Sequence, residues 1–162
     1  MSVRPGMPHT TSAWLGGATF EHTPDSAQRF ITDARLPGDE DRPRRGPSPM
    51  ELLLGAVAGC TGIDVVDILR KMRLEIRALR ISTEGERYEA VPRAYRRIHV
   101  TYEIETEPPD PEKIRRAVEL SVGKYCSVSA TLAGSVAMSY TLRCHGEVHE
   151  GRIPGVVETT GG

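Results

Sequence analysis

Apolar residues crowd one stretch of this chain and alternate with polar ones in others, and that pattern sets the expected elements. Ser48-Pro49-Met50-Glu51 opens the crowded stretch with the residues of a helix N-terminus: a capping serine, a proline for the first helical position and a Ser-x-x-Glu capping box. A helix is predicted from there to about Met72. Its first half, Leu52 to Gly59, is apolar on every side, which predicts burial all round, in a central position or at a dimer interface. Gly55, Gly59, Gly62 and Val66 form a narrow stripe. Glycines weaken a helix by up to about 1 kcal/mol each, so close approach of another backbone is expected to offset them. The second half sets Val65, Val66, Ile68, Leu69 and Met72 against Asp64, Asp67, Arg70 and Lys71, and is amphipathic.

Strand signals flank this helix. Ala13 to Phe20 and Gln28 to Ala34 read as short strands around a polar turn at His22 to Ser26. A loop follows from Arg35 to Pro47, where Pro37, Gly38, Pro43, Gly46 and Pro47 block regular structure. Beyond the helix, Leu74 to Glu86 and Arg97 to Thr106 predict two long strands, joined by a connection carrying Pro92. In the second of them Ile98, Val100, Tyr102 and Ile104 share one face, opposite His99, Thr101, Glu103 and Glu105. Pro108-Pro109-Asp110-Pro111 ends that strand and starts a helix from about Glu112 to Gly123, buried along Ile114, Ala117, Val118 and Val122. A short helix, Ser127 to Ala133, leads to a last strand, Ser135 to Cys144. The polar, Gly-rich residues 145–162 are expected to form a mobile tail. Strand–helix–strand alternation is not repeated, so the expected fold class is α+β, in one domain over residues 1–144.

Composition narrows the function classes. The chain has 162 residues, 38% hydrophobic and 27% charged, as in ordinary soluble globular proteins. A net charge of -1 gives no electrostatic reason to expect a nucleic-acid partner. Arg42, Arg44 and Arg45 stand beside Asp39, Glu40 and Asp41 and read as a solvated loop. The most apolar run, Leu52 to Ile63, is shorter than the roughly 18 to 20 residues of a membrane span. Met1 to Ser12 lacks the apolar core of a signal peptide. No membrane partner and a cytoplasmic location are therefore expected. There, cysteines are more often redox-active, metal-binding or buried than disulfide-bonded. None of Cys60, Cys126 and Cys144 belongs to a Cys-x-x-Cys pair.

Each candidate residue has a plain reading beside a chemical one. Cys126 begins a short helix, where the dipole and free amide donors favour the thiolate, with Lys124 acting in the same direction. Cys60 lies mid-helix among apolar neighbours and by itself reads as a buried small hydrophobe. Cys144, on the terminal strand, reads as structural or exposed. Asp64 follows Cys60 by one helical turn on the same face. It either disfavours a thiolate there or serves as a hydrogen-bonding partner to an arginine or a backbone amide. A metal held by Cys60, Cys126 and Asp64 would lack a third soft or imidazole ligand, so no metal is expected.

The segment Ser48-Pro49-Met50-Glu51-Leu52-Leu53-Leu54-Gly55-Ala56-Val57-Ala58-Gly59-Cys60, with Tyr125-Cys126-Ser127-Val128-Ser129 some sixty-odd residues later, resembles the OsmC/Ohr family of osmotically induced and organic hydroperoxide resistance proteins. In that family a Pro-x-Glu-Leu or Pro-Glu-x-Leu segment opens a central helix bearing the first cysteine, and the second sits in a Cys-Pro-x-Ser context. The resemblance runs from about Phe20 to Leu142. It implies an OsmC-like fold of N-terminal strands, a long buried central helix, antiparallel strands, two further helices and a last strand. It also implies an intertwined homodimer with active sites at the subunit interface.

The implied activity is a thiol-dependent peroxidase with no metal or organic cofactor. Cys60 attacks an organic hydroperoxide or hydrogen peroxide and becomes a sulfenic acid, and Cys126 resolves it as a disulfide. An external thiol or dithiol returns the disulfide to thiols. The chain departs from the best-characterised members at Met50, where they place a glutamate directly after the proline. Glu51 comes one residue later and nine positions before Cys60. About 900° of helical turn separates the two, which puts them on opposite faces and suits Glu51 to its own capping box. Family members also hold the thiolate and peroxide with an arginine from the N-terminal strands or the loop after them. The matching place holds Asp33, which leaves Arg35, Arg44 or Arg45 as substitutes. The expected catalytic set is Cys60, Cys126, Arg35, Glu51 and Asp64. The alternative is a catalytically divergent member that binds a small hydrophobic ligand at the dimer interface.

Overall fold

The computed structural model describes residues 7–155, and the chain forms two compact units, one reaching Leu53 and the other starting at Leu54. The first unit holds β1 (Thr10–Trp14), β2 (Phe20–Pro24) and β3 (Phe30–Thr32), an antiparallel sheet in that order. This corrects the expected strand Ala13 to Phe20 and the expected turn at His22 to Ser26. The chain reverses instead at Gly16 and Gly17, whose φ values of 102° and 56° suit residues without a Cβ. His22 stays in a strand because its neighbours satisfy the ring. Nδ1 pairs with the Ser12 hydroxyl at 2.8 Å, Nε2 with the Thr32 hydroxyl at 2.8 Å, and the ring stacks on Phe30.

The loop after β3 is irregular, as its prolines and glycines predict, yet it is tied to one buried carboxylate. Asp33 is fully buried and accepts from Arg42 Nη1 at 2.7 Å, Arg42 Nη2 at 2.9 Å, the Arg45 N–H at 2.8 Å and the Thr19 hydroxyl at 3.0 Å. A bidentate guanidinium together with two further donors leaves neither oxygen unpaired. The Arg42 bonds come first among the causes that hold the Asp33 carboxyl well below the usual carboxylate range.

Helix α1 runs from Pro49 to Lys71, and its capping box forms as predicted. The Ser48 N–H and hydroxyl each donate to Glu51 Oε2 at 2.7 Å, while the Glu51 N–H donates back to Ser48 Oγ at 3.3 Å. At the other end Arg73 takes a left-handed conformation (φ 61°). The Leu74 N–H bonds the Leu69 carbonyl at 3.0 Å and the Arg73 N–H bonds the Arg70 carbonyl at 3.0 Å, a Schellman closure.

Burial all round does not hold for α1 within one chain. Val57, Thr61, Val65 and Leu69 are fully buried, but Gly55, Ala56 and Gly59 are exposed and Ile63 is 72% exposed. Nor do Gly55 and Gly59 meet a second backbone, since nothing lies within 4 Å of a Cβ built on either. Only the Gly62 side of the stripe is closely packed, where such a Cβ would stand 2.9 Å from Ile81 Cδ1. At 23 residues, α1 is also long and apolar enough to cross a bilayer, which the shorter run Leu52 to Ile63 is not. It instead lays its Gly62 face on the sheet of the second unit.

That sheet has the order β4 (Glu75–Arg87), β5 (Tyr95–Glu107), β6 (Ala137–Cys144) and β7 (Glu147–Arg152). The outer pairs are antiparallel and β5/β6 is parallel. A parallel pair needs a crossover. Here it consists of α2 (Pro111–Leu120), a π-turn (Ser121–Tyr125) and α3 (Ser127–Leu132). Ile98, Val100, Tyr102 and Ile104 are all buried, as their alternation predicts, and so are Ile114, Ala117 and Val118 of α2. Tyr102 is in register with Ile81 on one side and Leu142 on the other. Ile81, the residue that meets Gly62, thus pairs directly with Tyr102, fixing where α1 crosses the strands.

Two expectations need correction here. The helix predicted through Gly123 loses its α pattern at Ser121, and the Cys126 N–H reaches back five residues to the Ser121 carbonyl at 2.9 Å. The chain past Cys144, expected as a mobile tail, turns at His145 and Gly146 with φ values of 47° and 83° and forms β7. Both residues adopt φ > 0, as a two-residue hairpin with right-handed strand twist requires. Ile153 after it is buried, its N–H donating to the Met138 carbonyl at 3.0 Å. Residues 156–162 of the expected tail, and residues 1–6 of the stretch read for a signal peptide, lie outside the described residues.

Candidate active site

The second unit brings three of the expected site residues together. Cys60 sits mid-way along α1, half-buried, with Asp64 one turn further on the same face. Cys126 is buried and forms the N-cap of α3, its sulfur accepting from the Ser129 N–H at 3.3 Å and the Ser129 hydroxyl at 3.1 Å. The two sulfurs and an Asp64 carboxylate oxygen all lie within 4.8 Å of one another. All three cysteines are free thiols.

A single serine joins the two elements that carry the thiols. Ser121, fully buried at the start of the π-turn, has its hydroxyl 3.1 Å from Asp64 Oδ2 and 3.2 Å from the Thr61 carbonyl. A hydroxyl has one proton to give, so these two acceptors share it. Asp64 thereby works as a hydrogen-bonding partner, the second of its two expected readings, though to a serine hydroxyl and not to an arginine or an amide.

Opposing effects act on Cys126. Burial pushes its thiol up, the Ser129 hydroxyl and N–H pull it down, and the neighbouring Cys60 adds to the rise. The Lys124 ammonium, expected to favour the thiolate, instead lies 5.4 Å over the Tyr125 ring centroid. Tyr102, in the centre of β5, is fully buried, and burial pushes its phenol up as well.

The other expected residues are engaged within the first unit. Glu51 takes part in the capping box and accepts from Arg44 Nη1 at 2.6 Å and Nη2 at 3.1 Å. Arg44 heads the causes that bring the Glu51 pKa down to about 2. Arg35 Nε donates to the Arg42 carbonyl at 3.3 Å. Asp33 draws in Arg42, the one arginine of that loop not named as a substitute. Cys144 is buried at the end of β6, and burial raises its thiol.

Sequence reading missed Ser121 and Ser129. The Ser129 role had a signal, because Cys-x-x-Ser at a helix start repeats capping-box spacing with sulfur in the cap position. Ser121 had none, since its partners lie 57 and 60 residues away in sequence.

The α+β fold thus sets two thiols close together, one on a long helix and one on the crossover beside it. Residues 38–141 match the OsmC-like protein family, and the chain belongs to that family. It is 34% identical to protein YhfA of Escherichia coli K12 over 128 residues, covering 79% of this chain and 91% of the relative. Among solved structures it superposes on a hypothetical protein from Aquifex aeolicus VF5 with a TM-score of 0.73 at 27% identity, over 85% of this chain and 96% of that one. The organic hydroperoxide resistance protein OhrB of Bacillus subtilis shares the fold, with a TM-score of 0.59 at 21% identity over 85% of this chain and 98% of that one.

Proposed function

We propose that this protein is a cytoplasmic, homodimeric thiol peroxidase that reduces organic hydroperoxides or hydrogen peroxide. The observation that carries the reading is the Cys60–Cys126 approach within 4.8 Å, from elements joined through Ser121. Cys60 sulfur attacks the peroxide oxygen; the O–O bond breaks, Cys60 becomes a sulfenic acid, and an alcohol leaves from an organic hydroperoxide or water from hydrogen peroxide. Cys126 sulfur then attacks Cys60 sulfur, expelling water and closing the disulfide. An external thiol or dithiol reduces that disulfide by exchange, taking the two electrons' worth of oxidation onto its own sulfurs. Asp64 is a positioning residue that accepts from Ser121. Arg35 and Glu51 are given no step. Membership of the OsmC-like family and the likeness to OhrB, a hydroperoxide resistance protein, support this reading.

The test is turnover of cumene hydroperoxide with a dithiol. Wild type is expected to turn over, Cys60→Ser to lose activity, and Cys126→Ser to accumulate a sulfenic acid that dimedone traps at Cys60. Equal, slow consumption by wild type and Cys60→Ser would sink the proposal.

An open groove of about 370 Å³, lined by Gly59, Gly62, Ile63, Val66 and Leu79 with Asp67 and Arg70 also in its wall, favours a second reading, as a binder of a small hydrophobic ligand. Under that reading Cys60→Ser leaves binding of an apolar fluorescent probe intact, and Ile63→Asp abolishes it.

A further inference from the structure

We propose that the reduced protein binds one thiophilic divalent cation of the zinc class through Cys60 Sγ, Cys126 Sγ and an Asp64 carboxylate oxygen. The sequence already set Asp64 beside Cys60; the fold brings Cys126 to them, with all three donor atoms within 4.8 Å of one another. Around Zn²⁺, with bonds of about 2.3 Å to sulfur and 2.0 to 2.2 Å to oxygen, two tetrahedral ligands stand roughly 3.5 to 3.8 Å apart. The cluster is thus within about 1 Å of that geometry, a gap that small side-chain rotations close. Three protein ligands leave a fourth position for water, the arrangement of an open site and not of a sealed structural one.

Two further observations belong to a built site. Ligating carboxylates and thiolates are held by outer hydrogen bonds. Here Ser121 donates to Asp64 Oδ2, and Ser129 donates to Cys126 Sγ through both hydroxyl and N–H.

Cation binding stands independently of the peroxide chemistry. Its release rests on the Cys60–Cys126 disulfide proposed above, because closing that bond removes two of the three ligands. The cation and the peroxide then compete for one pair of sulfurs, and oxidation ejects the cation.

Cobalt(II) titration of the reduced full-length protein tests this. One equivalent per chain is expected to give a thiolate-to-cobalt charge-transfer band, displaced by Zn²⁺. Cys60→Ser and Cys126→Ser are expected to lose the band, Asp64→Asn to weaken affinity at least tenfold, and Cys144→Ala to leave it unchanged. Ser121→Ala is expected to weaken affinity roughly tenfold, the usual size of an outer-bond loss. Absence of the band in reduced wild type, or affinity unchanged in Asp64→Asn, overturns the site. Loss of bound cobalt on oxidation by diamide supports the gating. Loss with diamide but not with cumene hydroperoxide leaves the cation site standing and overturns the peroxidase reading instead.

Discussion

Ser129 donates to the Cys126 sulfur twice, from its hydroxyl at 3.1 Å and from its backbone N–H at 3.3 Å. Both bonds strengthen when the sulfur is charged, so they oppose the rise that burial imposes on this thiol. Ser129→Ala removes one. A hydrogen bond to a charged group contributes about 1.5 to 3 kcal/mol, so the titration midpoint of Cys126 should climb. Thiolate absorbance in a background lacking the other two cysteines measures it. The sign follows for resolution: disulfide closure in the variant slows about tenfold at neutral pH and recovers in alkali.

Ser121→Ala separates the two oxidation steps. The hydroxyl joins the start of the crossover's π-turn to Thr61 and Asp64, beside Cys60, and one such bond is worth about 1 kcal/mol. Formation of the sulfenic acid should keep its rate, since Cys60 is untouched. Closure onto Cys126 should slow about fivefold, seen by rapid-quench mass spectrometry. Equal slowing of both steps would refute a purely positioning role.

The start of α1 is expected to weaken with acid. Glu51 titrates at about 2, against an ordinary value of 4.5, because Arg44 and Ser48 bond its carboxylate. A depressed folded-state pKa stabilises fully above the unfolded value. The contribution should therefore be complete above about pH 4.5 and fade as pH falls toward 2. Thermal melts of wild type and Glu51→Gln should differ most at neutral pH and converge in acid, with added salt narrowing the gap because the pair is half exposed. Ser48→Ala, which removes the cap and one bond to the Glu51 carboxylate, should cost about 1 kcal/mol at neutral pH and less in acid.

Gly62 should behave differently alone and in company. Alanine in a helix is favoured over glycine by about 1 kcal/mol, but a Cβ here meets Ile81 Cδ1 at 2.9 Å. The obstacle is the end of a flexible side chain, so Gly62→Ala should be close to neutral. In an Ile81→Val background the methyl is gone, and the same change should stabilise by about 0.5 to 1 kcal/mol in a denaturant-melt double-mutant cycle.

Arg42→Ala should release the first unit's loop. It leaves Asp33 buried with an unpaired charge and removes the link to the Ala34 carbonyl. Faster amide exchange at Asp33 and Arg45, with slow exchange retained along β5, is the expected pattern.

What could be read from the chain beforehand follows the range of the forces involved. The Ser48–Glu51 box, the buried face of β5 and the two cysteine segments depend on neighbours a few residues away, and each stands where the sequence puts it. The N-terminal turn was misplaced because strand pairing with β1 and β3, not local polarity, decides the state of His22 and its neighbours. β7 was missed because it is an edge strand of Glu, His and Arg, held by pairing with β6 on one side. The partner of Asp33 was missed for the same reason: four arginines are near in sequence, and only the fold of the loop selects Arg42. In the site, proximity of Cys60 to Asp64 was helical arithmetic, but the approach of Cys126 needed the whole crossover.

The π-turn gives that crossover an unusual sensitivity to length. Its closing bond from the Cys126 N–H to the Ser121 carbonyl spans five residues, so the position of the second sulfur is set by counting from Ser121. Removing one residue between them would turn the cap by about 100° and carry the sulfur away from Cys60, whatever the residue removed. Within that segment the outward Lys124 and Tyr125 are open to exchange, whereas Val122 is buried. Its residue count is the quantity that selection for paired thiols would hold fixed.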